Sequence, residues 1–294
     1  MGLAVSGGPD SLALLLLFHE VAPRNFAVAT VDHGLRPEAV QEAAMVAVLC
    51  RERAISHATL TLALPKGSAI QERARNARYG ALADWAREQG LRALVTAHHA
   101  DDQAETMVMR LNRGAGLRGL AGMRDKSTVP GDHALPLLRP LLSWRRSELA
   151  QVVGAVGIIA AEDPSNRDMQ YERVRIRDAL TSNSSFDPNG FAASATHLAQ
   201  ADSALDWAAQ QLWHSVTRTH AGCEWLPSPD VPITLQLRVM ERLFAALGAP
   251  PPRGSDMASL LGTLHNDGVA TLAGIKADAR TRPWRFTRAP DRRT

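Results

Sequence analysis

The stretch Ser6-Gly7-Gly8-Pro9-Asp10-Ser11 stands between two apolar runs, Gly2-Leu3-Ala4-Val5 and Leu12-Ala13-Leu14-Leu15-Leu16-Leu17. The first run reads as a short buried strand and the second as the apolar side of a helix. Small residues with free backbone N–H groups lie between them, followed by the positive end of a helix dipole. That arrangement binds anions, phosphate above all. Gly7 and Gly8 let the backbone approach a ligand without a Cβ in the way. Ser6 and Ser11 add hydroxyls, and Asp10 at the helix start can cap the helix or face a metal.

Two other phosphate loops are excluded. The chain has no Gly-x-x-x-x-Gly-Lys-Ser/Thr, so this is not a Walker loop. No Gly-x-Gly-x-x-Gly follows the strand, so the dinucleotide fingerprint fails as well. What remains resembles the pyrophosphate loop of the ATP pyrophosphatases. Those enzymes cleave ATP between its α- and β-phosphates and adenylate a substrate. The plainer alternative is a Gly-Pro-Asp turn in an ordinary α/β domain.

Outward from the loop, strand-like and helix-like segments alternate. Phe26 to Asp32 reads as a second strand, ended by His33-Gly34-Leu35-Arg36-Pro37. Pro37 suits the first turn of a helix running to about Arg53. His57 to Leu62 alternates as a strand does. Ser68 and Gln71 stand at capping-box spacing before a helix that carries Arg75, Arg78 and Tyr79 and is ended by Gly90. Ala93 to Ala97 is a fourth strand. Such alternation gives a parallel sheet covered by helices on both faces, with ligands at the carboxyl ends of its strands. Three polar clusters fall there: Ser6 to Ser11, Asp32 to Arg36, and His98-His99-Ala100-Asp101-Asp102-Gln103-Ala104-Glu105-Thr106. Asp101 and Asp102 would cap a helix N-terminus. Asp102 with His98 and Asp10 also suits Mg²⁺ and phosphate, because Mg²⁺ takes hard oxygen ligands and bridges nucleotide phosphates. A zinc site from His33, His98 and His99 has no further ligand pattern behind it.

The 294 residues are 45% hydrophobic and 21% charged, the balance of an ordinary globular protein. No apolar run approaches the ~20 residues of a membrane span, and no secretory leader is recognisable. Met1 stands almost inside the first strand, so residues before it are expected in the natural chain. Two widely separated cysteines, Cys50 and Cys223, suit a reducing cytoplasm. The net charge is only +3, but Arg110 to Arg146 holds eight Lys/Arg against Asp125 and Asp132. Lys276 to the end holds seven against Asp278 and Asp291. Two basic segments on a nearly neutral chain suggest a nucleic-acid partner.

Several stretches match one family together: Ala4 to Ser11, Val31 to Arg36, Glu72 to Tyr79, Thr96 to Thr106, Arg113 to Leu120, Arg139 to Leu142, and Asp163 to Asn166 with Tyr171 and Arg173 to Arg177. The set resembles tRNA(Ile)-lysidine synthetase over residues 2 to 180. The resemblance implies a Rossmann-like, adenine nucleotide alpha hydrolase-like domain over 1–183. It also implies a smaller, mainly helical region over 184–294, containing an abbreviated tRNA-binding part. Such enzymes adenylate C2 of the wobble cytidine, position 34, in the isoleucine tRNA with anticodon CAU, and free lysine then displaces AMP. By the same resemblance, Ser6, Gly7, Gly8, Pro9, Asp10 and Ser11 would hold the pyrophosphate of ATP. Val31 would lie near the nucleotide, Arg75 and Arg78 would reach ATP or tRNA phosphate, and Asp10 and Asp102 would face Mg²⁺. No side-chain nucleophile is needed, so the enzyme works by positioning and charge stabilisation. Glu105 and His98 are candidates to accept the lysine proton. Arg78, Arg113, Arg118 and Arg173 are candidates for tRNA phosphate, with Arg113 to Leu120 able to close over an extruded base.

In the second half, Ser143 to Val156 reads as a helix and Asp163 to Asn166 as a turn. The composition turns polar from 181 to 190, where a domain boundary is expected. Phe191, Leu198, Leu205 and Leu212 then form a packing seam, and Trp207, Trp213 and Trp225 are expected in the core. Pro250-Pro251-Pro252 is a linker, and Thr271 to Gly274 with the basic tail suggests a small strand region. A tRNA thiolase is the competing enzyme, but those rely on cysteines, which are few here. An RNA-binding module with a dead loop is opposed by the intact Ser6 to Ser11 and Asp101-Asp102. The sequence gives no oligomeric state and allows a homodimer.

Overall fold

The computed structural model describes residues 1–32, 34, 38–62, 70–161, 168–250 and 252–290. The expectations for His33, Pro37, the Ser68 capping box and the Asp163 to Asn166 turn lie outside them. The chain divides into two compact units, Met1–Ala199 and Gln200–Thr294.

The first unit is built on a six-stranded sheet of order β3-β2-β1-β4-β6-β5. These are β1 (Gly2–Ala4), β2 (Ala27–Asp32), β3 (His57–Thr61), β4 (Leu94–Val95), β5 (Lys126–Val129) and β6 (Asp132–Leu138). All neighbours run parallel except β5, which pairs antiparallel with β6 at the edge. The fourth strand is shorter than the expected 93–97. Its register is fixed by Leu3 against Val95 and Val95 against Leu138.

Side-chain alternation splits the core into two faces. Leu3, Val5, Val28 and Val95 pack under α1 (Pro9–Val21), α2 (Glu38–Glu52) and α6 (Arg146–Ala155). Ala29, Leu94 and Leu137 pack under α3 (Ile70–Glu88), with Tyr79, Leu82 and Trp85. The strand order reverses between β1 and β4, the topological switch point where such sheets open a crevice at their carboxyl edge. The loop before α1 and the loop before α4 (Ala100–Asn112) both open there. A short α5 (Leu117–Leu120), then α7 (Glu172–Ser182) and α8 (Pro188–Trp213), complete the order. Ala104 of α4 packs against Ile176 and Leu180 of α7, with Phe191 of α8 alongside.

The β5–β6 hairpin was not expected from sequence, although Pro130-Gly131 marks it. Gly131 has φ +84, the position of a type II turn that favours glycine after proline. The helix expected over 143–156 begins only at Arg146.

The second unit holds the C-terminal part of α8, then α9 (Ile233–Ala246) and α10 (Gly254–His265). Its sheet is larger than the small strand region expected. It has five strands in the order β7-β8-β11-β10-β9, all antiparallel. They are β7 (Thr217–Thr219), β8 (Gly222–Trp225), β9 (Val269–Leu272), β10 (Ile275–Asp278) and β11 (Trp284–Arg288). Trp225 and Trp284 meet edge-on at 6.1 Å within this core. Trp207 departs from expectation and is 67% exposed. Two positions past Leu205, it points about 200° away from the face that carries Ala209 and Leu212 into the core. The buried Arg238 of α9 is held by Asp202 and Asp206 on α8.

Candidate active site at the sheet switch point

The loop leaving β1 has the form that binds anions. Gly7 takes φ +90, and Gly8 caps α1 in extended conformation with no side-chain acceptor over the first helical N–H groups. Those groups stay available to a ligand. Pro9 follows at the helix start, where its missing N–H costs nothing. Ser11 braces the turn. Its Oγ accepts from Ser6 N–H at 3.1 Å and donates to Gly8 O at 3.0 Å, with Ser6 Oγ 3.2 Å away. Ser6 itself is exposed.

A second helix N-terminus meets the first. His99 caps α4 and is fully buried. Its Nε2 lies 3.4 Å from Asp10 Oδ2 and 3.5 Å from Asp102 Oδ2, and its Nδ1 lies 3.6 Å from Asp101 Oδ2. Burial alone would lower the His99 pKa. Asp10 and Asp101 beside the ring, with the charges of Asp102 and Asp10, outweigh burial and raise it to about 9. Asp102 N–H approaches Nδ1 at 3.4 Å, a contact that only the neutral ring could accept. Three carboxylates at this range favour the imidazolium.

Asp101 is turned away from the crevice. It accepts from Arg146 N–H at 2.8 Å and from Arg145 at 3.2–3.4 Å. Burial pushes its carboxyl up, but His99, Arg145 and the Arg146 N–H together hold it well below the usual range. Asp102 is clamped from α7. Arg173 Nη2 donates to Asp102 Oδ1 and Arg173 Nε to Glu105 Oε2, each at 2.6 Å. Arg177 Nε donates to Glu105 Oε1 at 2.6 Å. Burial opposes ionisation of Asp102, yet His99 and Arg173 keep its pKa low. Glu105 is 1% exposed, and its charge is matched by these two arginines.

Among the described residues no group of three or more His, Cys, Asp and Glu could hold a metal ion. Asp10 Oδ1, however, is buried without a hydrogen-bond partner. One such oxygen suits a cation whose other ligands are phosphate oxygens and water. Asp102 fits less directly, because Arg173 and the His99 N–H already engage its two oxygens.

His98 lies just before α4, its Nδ1 2.8 Å from Thr96 Oγ1. Burial is the main cause that lowers its pKa to about 3; Arg139, Arg78 and Arg75 add to this, against the pull of Asp102. Arg75 and Arg78 lie over the ring of Tyr79 at 5.1 and 5.3 Å. Val31, next to last in β2, packs into the core on the α3 face, while Asp32 Oδ1 accepts from Gly34 N–H at 2.9 Å.

Arg113 and Arg118 stand apart from this cluster. Arg113 pairs with Glu172 at the start of α7, and Arg118 is exposed on α5. The glycine-rich loop is tied down on one side. Arg110 donates to Gly119 O at 2.6 Å, and Gln103 bonds both backbone groups of Met123 at 2.7–2.8 Å. The described part of the basic segment, Lys276 to Arg288, is largely neutralised. Arg280 pairs with Asp278, Arg282 with Asp267 and Arg285 with Glu224, while Arg288 caps the carbonyls of Leu247 and Gly248.

A PP-loop domain matches residues 1–184. The chain is 61% identical to a tRNA(Ile)-lysidine synthase of Novosphingobium aromaticivorans, over 99% of this chain and 90% of that one. The chain belongs to the tRNA(Ile)-lysidine synthase family. A second relative of that name, from Zymomonas mobilis, is 38% identical over 100% of this chain and 89% of that one. Members of this family are ATP-using ligases, which agrees with the loop before α1.

The U34-tRNA thiolase NcsA from Methanococcus maripaludis, solved with its [4Fe-4S] cluster, superposes with a TM-score of 0.56. That match has 17% identity and covers 67% of this chain and 69% of the thiolase, a likeness of fold. Cys50 and Cys223 are both free and buried here. Of the candidates the sequence offers, Asp10, Asp102 and Glu105 are linked through His99 and Arg173, and His98 lies just before α4. The sequence does not show that Arg145, Arg146, Arg173 and Arg177 take up the acids. Their positive charge was visible in the sequence, but their partners were not.

Proposed function

We propose that this chain joins free lysine to C2 of the wobble cytidine, position 34, of the isoleucine tRNA with anticodon CAU. The observation that carries the reading is the meeting of two helix N-termini through Asp10, His99 and Asp102. One terminus offers phosphate-binding N–H groups and the other a charged polar cluster. In the first step the cytosine O2 attacks the α-phosphorus of ATP, the α–β phosphoanhydride bond breaks and pyrophosphate leaves. The N–H groups of Gly7, Gly8 and the first turn of α1, with Ser6 and Ser11, receive the departing charge. Asp10 would hold Mg²⁺, with Asp102 as second ligand once Arg173 loosens; bound there, the ion neutralises charge on the pyrophosphate.

In the second step the lysine ε-amine attacks C2, the C2–O bond breaks and AMP leaves. Lysine must react as the neutral amine. His98, neutral at physiological pH, and Glu105 are the candidates to take its proton. Glu105 would first have to be released by Arg173 and Arg177. Val31 would lie beside the nucleotide, Arg75 and Arg78 would reach ATP or RNA phosphate, Arg113 and Arg118 would meet RNA phosphate, and Arg173 would do so only on leaving Asp102 and Glu105. The product reads AUA instead of AUG. Residues 1–183 act as the catalytic domain and 184–294 as the region that steadies the tRNA, in the cytoplasm.

Incorporation of radiolabelled lysine into an isoleucine tRNA transcript, with ATP and Mg²⁺, tests the reading. Label with the wild type and none with Asp10→Ala is expected. Pyrophosphate release without label would move the reading to another acceptor, and neither signal would overturn it.

A further inference from the structure

Arg139 is a buried cation that the proposed reaction does not use. It follows Leu138, the last residue of β6, and Thr96 N–H donates to Leu138 O at 3.0 Å. Arg139 therefore stands at the carboxyl edge beside the strand that leads to His98. It is 8% exposed. Its Nη1 donates to Arg124 O at 2.7 Å and Ser127 Oγ at 3.0 Å, both uncharged acceptors, while its Nε is buried without a partner. Arg78 Nε is likewise buried and unpartnered. Arg75 and Arg78 lie over the Tyr79 ring at 5.1 and 5.3 Å, and Arg139 lies beside the Tyr79 hydroxyl, so the three guanidiniums gather about one side chain. Among the described residues, none of the three makes an ion pair with a carboxylate.

Buried charge is ordinarily paired. Three guanidiniums about one side chain, with two unsatisfied N–H donors, call for an anion. The pyrophosphate loop cannot supply it. That loop opens α1, on the sheet face of Leu3 and Val95, whereas Arg75 and Arg78 belong to α3 on the face of Ala29 and Leu94. Arg75 is exposed at the rim, and Lys126, on the strand next to β6, is exposed as well. The positive surface thus leads outward, as suits a polymer rather than the end of a triphosphate.

We propose that Arg139, with Arg75 and Arg78, forms a second anion subsite that takes a backbone phosphate of the RNA strand carrying the nucleotide to be modified. This rests on the tRNA-ligating reading above. The guanidinium fork matches a phosphate in two bonds, which an ammonium cannot do.

Dissociation constants for tRNA transcript over a KCl series, and for ATP alone, would be measured for wild type, Arg139→Lys and Arg75→Ala. Each variant should weaken tRNA binding about tenfold and leave ATP binding within about twofold. For Arg75→Ala the slope of log K against log salt should fall by about one. Weaker ATP binding with tRNA binding unchanged would overturn the proposal and give the subsite to the nucleotide. No change in either constant would overturn it as well. Arg75 is exposed, so its variant decides the matter if Arg139→Lys does not fold. Failure of the wild type to incorporate lysine would sink the ligation reading alone, since the binding constants judge the subsite separately.

Discussion

Arg173 reaches Asp102 Oδ1 with one nitrogen and Glu105 Oε2 with another, both at 2.6 Å. A single side chain of α7 therefore sets two acids of α4, one of them beside the pyrophosphate loop. Arg177 shares only Glu105. Removing Arg173 leaves Glu105 one partner and Asp102 none on that oxygen. Arg173→Ala should lower unfolding free energy by about 1–3 kcal/mol and reduce kcat more than the affinity for ATP. Urea denaturation with steady-state kinetics checks this; an unchanged kcat would make the clamp purely structural.

Glu105→Gln acts in the opposite sense. It leaves Arg173 and Arg177 facing a neutral group in a buried site. Breaking a buried pair from one side costs about 3–5 kcal/mol. Part of that is spared here, because Arg173 keeps Asp102 and is 38% exposed. A loss of about 2–3 kcal/mol in a urea melt is expected, and a loss under 0.5 kcal/mol would contradict the burial of Glu105.

Much of the site was legible because its parts are contiguous. Ser6 to Ser11 and His98 to Glu105 are each one strand–helix junction, and a parallel sheet brings such junctions to one edge. The arginine clamp was not legible, because Glu105 and Arg177 are joined only when α4 and α7 pack together, as Ala104 does on Ile176 and Leu180. The β5–β6 hairpin was missed although Pro130-Gly131 signalled it, since Pro136 inside the run reads against a strand. Trp207 was misjudged because size and hydrophobicity outweighed its position on the helix.

Gly7 joins a positive φ of +90 to crowding, since a Cβ there would stand 3.1 Å from Met45 Cε. Gly7→Ala should cost about 1–3 kcal/mol through backbone strain and weaken ATP binding by misdirecting the loop. Calorimetric unfolding with ATP titration checks both. A variant as stable as the wild type would show that the loop can take another backbone conformation.

Cys50 is fully buried on α2. Burial pushes its thiol up to about 11, against a smaller opposing effect of Arg53. The native thiol is therefore neutral at pH 7 and should alkylate only on unfolding. The linkage has a definite sign. Between the ordinary cysteine pKa, near 8.5, and about 11, the unfolded chain has lost a proton that the native chain keeps. Stability from this group is complete below that window and falls as pH rises through it. Cys50→Ala should flatten the decline, and parallel curves for both proteins would show that the thiol ionises alike in the two states.

Arg113 pairs with Glu172 at the protein surface, with 62% of its side chain exposed. Exposed pairs contribute only about 0.2–1 kcal/mol, so an RNA phosphate can take Arg113 from Glu172 at little cost. Arg113→Ala should weaken tRNA binding and lower the salt slope by about one. Glu172→Gln should tighten binding, by no more than about fivefold, because 1 kcal/mol corresponds to that factor. Filter binding at two salt concentrations separates the cases. If Glu172→Gln instead weakened binding, the ion pair would be holding Arg113 in its RNA-binding position rather than competing for it.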